Sequence, residues 1–338
     1  MNNHTIIIAE AGVNHNGDIN LAKKLIDAAA DAGADYVKFQ IFKTELLVSK
    51  KAKKAEYQIK NQKAENNSQF DMLKKLELAE DTHYELINYC KQKNIKFLST
   101  AFDFQSIDFL ASLNIDFFKI PSGELTNYPY LKKIAEKQLP VVISTGMADL
   151  QEIKQALGVF NLHNFYKNNK NITVLHCSSE YPTPMELVNL SAMNTIGQEF
   201  NVAIGYSDHT LGIEIPIAAV AMGATVIEKH FTLDNNLPGP DHKASLEPDE
   251  LKNMVLSIRN IEKAMGNGKK EPNKLEKKNK PLVRKSIIAK QNIKKGEILT
   301  EKNITTKRPG TGLSPFLWDK VIGTKAVKDF NTDDFIDI

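Results

Sequence analysis

The sequence predicts an α/β chain: a (β/α)8 TIM barrel over residues 1–266, a linker at 267–283 and a small β-rich domain at 284–338. Three observations carry this. Short β-rich runs alternate with amphipathic helical runs eight times. The alternation stops near Gly266, a length that suits one barrel. Beyond that point the composition changes, with 14 Lys+Arg against 4 Asp+Glu between Asn267 and Arg308. A doubly wound open sheet would use the same alternation, but it gives no reason to stop at eight.

The strands are expected at Thr5–Glu10, Asp35–Ile41, Ile95–Phe102, Asp116–Ser122, Pro140–Gly146, Ile172–Ser179, Val202–His209 and Thr225–Phe231. A helical stretch follows each one. The first, LAKKLIDAAADAG, closes on Gly33, where a helix end favours positive φ. The last, PDELKNMVLSIRNIEKAMG, opens on acidic residues and ends at Gly266. NGKKEPNKLEKKNKP reads as an exposed connector. No aromatic residues are interleaved with its lysines for base stacking, so it does not read as a nucleic-acid site. From Arg284 onward, short strands with glycine turns suggest a domain too small to hold a large active site alone.

The 338 residues are 42% hydrophobic and 25% charged, with a net charge of +3, an ordinary soluble composition. No apolar run approaches the roughly 20 residues of a membrane-spanning helix. MNNHTIII has no basic region before its apolar stretch and does not read as a signal peptide. The two cysteines, Cys90 and Cys177, imply no disulfide framework. These features point to a cytoplasmic protein with neither a nucleic-acid nor a membrane partner.

The eighth strand contains IEKHF, three ionisable residues inside an apolar run. Such charges are costly in a core unless paired, wet or bound. In a barrel the strand C-termini form the active-site face, and every strand here finishes polar. The ends carry Glu10; Lys38 and Gln40; Ser99 and Thr100; Lys119 and Ser122; Ser144 and Thr145; His176, Ser178 and Ser179; Ser207, Asp208 and His209; Glu228 and His230. One polar strand end is ordinary solvent contact, but eight in a row are not.

Three groups stand out. His209 and His230 end adjacent strands, where two imidazoles with oxygen ligands suit Mn, Co, Fe or Zn, or else are two hydrogen-bonded histidines in a wet pocket. Lys38, Lys119, Thr100, Ser122, Ser144 and Ser207 suit a small substrate carrying phosphate and carboxylate. The other reading is lysine stems snorkelling from the mouth. Glu10, Glu124 and Glu228, with Asp208 and Asp241 nearby, are acid–base candidates or counter-charges. The two-residue spacing puts Glu228 and His230 on one strand face and Lys229 on the other.

AEAGVNHNGD, VKFQ, FLSTAFD, KIPSGE, STGM, HCSSEYPTP, GYSDHT, IEKHFTL and PGPDHKASLEP occur in that order, and together they resemble the sialic acid synthase family. VRKSIIAKQNIKKGEILTEKNITTKRPGTG resembles that family's antifreeze-like (SAF, β-clip) domain. The resemblance implies an enzyme that condenses phosphoenolpyruvate with an N-acylated mannosamine-type sugar and releases phosphate. It implies a divalent metal, Mn or Mg with Co also possible, on His209 and His230, and a domain-swapped homodimer. It places phosphoenolpyruvate on Lys38, Thr100, Lys119, Ser122, Ser144, Ser179 and Ser207. It places the sugar on Gln40, Tyr181, Asp241 and Arg308, the last supplied by the partner chain. Ser179 of HCSSEYP stands where some relatives have a phosphate-binding asparagine, and its hydroxyl can still donate. EYQIKN, VRKSIIAK and SEYPTP resemble the neuraminate branch, whereas VKFQ and KLEL also suit the legionaminate branch. The first expectation is therefore an N-acetylneuraminate synthase using N-acetylmannosamine. The alternative is N,N'-diacetyllegionaminate synthase using 2,4-diacetamido-2,4,6-trideoxymannose. A non-catalytic sugar-binding protein and a Schiff-base aldolase using Lys38 or Lys119 are the more remote readings.

Overall fold

The computed structural model describes residues 4–54, 58–59 and 68–338. They form two compact units, Met1–Gly266 and Asn267–Ile338. In the first, eight parallel strands run β1 (Ile6–Gly12), β2 (Tyr36–Ile41), β3 (Lys96–Ala101), β4 (Phe118–Ile120), β5 (Val141–Ser144), β6 (Ile172–His176), β7 (Ala203–Asp208) and β8 (Val226–His230). Their hydrogen-bonded order is β3-β2-β1-β8-β7-β6-β5-β4. Pairing of β1 with β8 wraps the sheet, while β3 and β4 carry no ladder among the described residues, so the barrel is nearly closed.

Each strand sits inside its expected span except β1, which runs on to Gly12. The register shifts between Glu10 and Gly12, and Gly12 has φ 53°. Such an irregularity re-aims the strand end, and glycine meets the positive φ without a Cβ penalty. The first helix, Ile19–Ala32, ends as its sequence demands: Gly33 has φ 80° and its N–H bonds back to Ala29 and Ala30. Pro248–Met265 closes the barrel with a capping box from Glu247 and Glu250. The β2–β3 connection is longer than a single helix. It carries Thr44–Leu47, Gln69–Lys74 and Glu80–Gln92. Of EYQIKN, residues 56–61, only Gln58 and Ile59 are described.

Packing follows the strand period. One face of each strand packs against the helices through two large clusters, one around Leu25, Val37 and Met254, the other around Leu110, Ile134 and Phe160. The other face fills the barrel interior with Ile8, Leu98, Val142, Leu175 and Val226. Burying each such side chain contributes roughly 1.5–3 kcal/mol. Above this plug the inward residues turn polar.

The second unit pairs β9 (Ser286–Ala289) antiparallel with β10 (Ile304–Lys307). Single bridges such as Ile288 with Phe335 and Ile293 with Phe330 complete a small β-rich core. The stretch expected as an exposed linker contains a helix. Residues 274–283 are a helix, exposed throughout and opened by a capping box from Asn273 and Glu276. No helix among the described residues is long and apolar enough to cross a membrane.

Candidate active site

The polar strand ends surround a cavity of about 490 Å³ in the barrel mouth. Every expected site residue lines it except Glu124 and Arg308. Strand register brings the key groups together: Glu10 stands opposite Lys38 on one side and His230 on the other, and Ser207 stands opposite Glu228.

A four-charge cluster lies at the base. Lys38 Nζ is 2.7 Å from Glu10 Oε2 and 3.5 Å from Glu228 Oε2. It donates to Thr100 Oγ1 at 2.9 Å. Lys119 Nζ is 3.2 Å from Glu228 Oε1 and donates to Ser144 Oγ at 2.7 Å. Ser207 Oγ donates to Glu228 Oε1 at 2.8 Å, and Gln40 Nε2 donates to Glu10 Oε1 at 3.2 Å. All four charged side chains are at most 6% exposed. Snorkelling lysines would not show this burial. The stems stay inside, and the ammonium groups sit among carboxylates and hydroxyls.

Burial opposes each of these charges, and the neighbours decide the outcome. Burial pushes the Glu228 carboxyl up, but Lys119, Lys38 and the Ser207 hydroxyl overcome it and hold the group far below its usual range. Burial also pushes Glu10 up. There Lys38 offsets it only in part, and the charge of Glu228 adds to the rise. Lys119 is pulled down by burial despite Glu228. Lys38 resists its burial because Glu10 and Glu228 both attract its proton. Asp241, higher in the mouth, is pushed up to about 7 by burial, with the Glu10 charge adding.

The histidines form the other side. The rings of His209 and His230 are 5.5 Å apart between centroids, and Tyr181 lies 4.0 Å from the first and 5.7 Å from the second. His209 Nδ1 donates to the Ser178 carbonyl at 2.5 Å. A carbonyl only accepts, so Nδ1 carries the proton and Nε2 keeps its lone pair. His230 Nδ1 is buried with no hydrogen-bond partner among the described residues. Burial lowers His209 to about 4 and His230 well below its usual value. Both are therefore neutral, the form that binds metal. Among the described residues no three His, Cys, Asp or Glu side chains are grouped to hold an ion. The donor set fits a divalent ion as two imidazoles, with water or substrate oxygens in the other positions.

Lys229 faces away from all of this. Its Nζ meets Asp208 Oδ2 and the Thr210 carbonyl, each at 2.5 Å, with no exposure of either charged side chain. Asp208 is thus tied to the structure behind the strands. Glu124 also stands apart. It closes the short turn Ser122–Glu124, accepts from Asn127 Nδ2 at 2.6 Å and does not line the cavity. Arg308 is exposed in the second unit.

Some participants went unread in the sequence. Ser122 Oγ accepts from Gly146 N–H at 2.9 Å and lies 3.2 Å from Cys177 Sγ. A Cβ at Gly146 would crowd the Ser179 hydroxyl and stand 2.9 Å from Ser122 Oγ, so any larger residue there would force these hydroxyls to move. The STGM motif was the signal for this. Phe42, Leu47, Met72 and Phe102 also line the cavity, and nothing in the sequence separated them from core.

Comparison with known proteins matches the NeuB family model over residues 25–270 and the SAF domain model over residues 284–337. The chain belongs to the NeuB family. The N,N'-diacetyllegionaminic acid synthase of Campylobacter jejuni is 56% identical over 98% of both chains. That of Legionella pneumophila is 51% identical over 94% of this chain and 89% of its own. A crystal structure of the N-acetylneuraminic acid (sialic acid) synthetase of Leptospira borgpetersenii serovar Hardjo-bovis is 38% identical, with a TM-score of 0.72 over 82% of this chain and 90% of that one. The NeuB chain described here is an enzyme, a phosphoenolpyruvate-dependent synthase of the nine-carbon acidic sugar type.

Proposed function

We propose that the protein condenses phosphoenolpyruvate with 2,4-diacetamido-2,4,6-trideoxymannose and water, giving N,N'-diacetyllegionaminate and phosphate. This reverses the order of the two acceptors expected from the motifs. The observation that carries it is the difference in identity: 56% and 51% to two legionaminic acid synthases, against 38% to the neuraminic acid synthetase structure.

The residues support the chemistry. Lys38 and Lys119, with the hydroxyls of Thr100, Ser122, Ser144, Ser179 and Ser207, hold the phosphate and carboxylate of phosphoenolpyruvate. Fixing its C3 against the acceptor aldehyde turns a bimolecular encounter into a positioned one. C3 bonds to the aldehyde carbon and water adds at C2. The resulting tetrahedral centre collapses with C–O cleavage to the keto acid and phosphate. Glu10 takes the proton of the attacking water. Its raised carboxyl makes it a better proton acceptor than Glu228, which the lysines hold ionised. Gln40, Tyr181 and Asp241 orient the sugar. A divalent ion, Mn or Mg, held by His209 and His230 would supply Lewis-acid polarisation of the aldehyde oxygen. We also propose that the active form is a homodimer in which Arg308 of the partner subunit reaches the acceptor.

The test offers both sugars with phosphoenolpyruvate and follows phosphate release. The specificity constant is expected to be larger for the diacetamido sugar. An equal or larger value for N-acetylmannosamine overturns the assignment.

A further inference from the structure

The cavity has two unlike sides. The strand ends supply the charged and hydroxyl groups described above. Above the ends of β2 and β3 the wall is largely apolar, made by Phe42, Leu47, Val48, Met72, Leu73 and Phe102, with the amides of Gln58 and Gln69 as its polar groups. Phe42 and Met72 are buried in a small satellite cluster with Val13 and Leu76, and Leu47, Leu73 and Phe102 pack against it. Leu47, Val48, Leu73 and Phe102 remain partly exposed, so their apolar surface is available to a ligand. No charged side chain of the β2–β3 connection lines the cavity among the described residues. A sugar hydroxyl placed against Leu47 and Leu73, away from the two amides, has little to gain there.

We infer that this wall is the acceptor-specificity surface, and that it recognises the C6 methyl group and the acetamido methyl of a 6-deoxy amino sugar. The inference rests on the acceptor reading above and gives it a physical cause. A methyl against Leu47 and Leu73 sheds water on both sides. A C6 hydroxyl in the same place loses its water partners and finds no donor or acceptor on these side chains. The size of the effect is bounded. Hydrophobic pockets reject an added hydroxyl by roughly 10²-fold at most, and discriminate a single methylene by about 10- to 200-fold.

The decisive pair of acceptors is N-acetylmannosamine and its 6-deoxy analogue, which differ only at C6. The full-length enzyme is expected to favour the 6-deoxy sugar by about 10- to 100-fold in kcat/KM. Leu47→Gln and Leu73→Gln place a polar group at partly exposed wall positions. Each is expected to cut that preference roughly tenfold, chiefly through a higher KM for the deoxy sugar. Thermal melts and the KM for phosphoenolpyruvate report whether each variant folds and keeps its anion site. A wild-type ratio near one, or an unchanged ratio in a folded variant, overturns the inference. The two readings fail separately. Preference for the diacetamido sugar with a C6 ratio near one sinks the wall and spares the acceptor. A strong C6 ratio with no turnover of the diacetamido sugar does the reverse.

Discussion

Glu228→Gln tests the charge cluster most directly. Glu228 lies 3.2 Å from the Lys119 ammonium and 3.5 Å from that of Lys38. At an effective dielectric of about 20 each contact has a gross Coulomb energy of about 5 kcal/mol. Desolvation consumes part of this, yet removing one partner of a buried pair typically costs about 3–5 kcal/mol because a bare charge remains. Gln keeps the shape and can still accept from Ser207, so the loss isolates the charge. The expected destabilisation at pH 7 is about 3–5 kcal/mol. The pH dependence has a definite sign. Glu228 is held below its ordinary value of 4.5 in the folded state. Its contribution is thus complete above that value and fades as pH falls through the folded one. Urea unfolding of wild type and variant should show a gap that is constant from about pH 8 to the ordinary carboxyl value of 4.5 and narrows as the pH falls below it. Equal stability at pH 7, or a gap that widens in acid, refutes the account of the cluster.

Glu10→Gln should slow phosphate release by about 10²-fold or more, whereas Glu124→Gln should stay near wild type, since Glu124 lies outside the cavity; steady-state rates rank the two. His209→Ala should lose bound divalent metal, read by elemental analysis, together with activity. Full activity of the wild type in chelator would refute the metal role. Lys229→Met leaves Asp208 buried without its cation and should cost about 3–5 kcal/mol in unfolding free energy. Truncation after Gly266 should abolish turnover in a folded barrel, and full activity of that piece would remove Arg308 from the site.

Much of the mouth was legible because its signal is local. A polar residue ending an apolar run marks a strand C-terminus whatever the rest of the chain does. The alternation in IEKHF likewise separated Glu228 and His230 from Lys229, and the structure puts Lys229 on Asp208 behind the strands. The alternation rule fails where the strand stops. Glu124 is two residues past Ser122, but a short turn replaces the pleat there, so spacing no longer tells direction. The helix at 274–283 was obscured by its lysines and by Pro281, although Asn273 and Glu276 spell a capping box. The apolar wall was invisible because a leucine facing a substrate and a leucine facing a core have the same letter. Which carboxylate meets which lysine depends on register across β1, β2, β4 and β8, and no local pattern holds that information.

That pairing decides how the site receives its substrate. Two ammonium groups and two carboxylates sum to zero when all are ionised, so the resting cluster has no excess positive charge for a multiply charged anion. Phosphoenolpyruvate must therefore compete with Glu10 and Glu228 for the lysines. Glu228 is the worse group to displace, because both lysines and Ser207 hold it. Glu10 has one lysine and a carboxyl already pushed up. When the substrate draws Lys38 toward itself, Glu10 loses the cation that kept it ionised and its proton affinity rises further. On the proposed mechanism, anion binding itself then readies Glu10 to take the proton of the attacking water, and Glu228 stays behind as the fixed counter-charge.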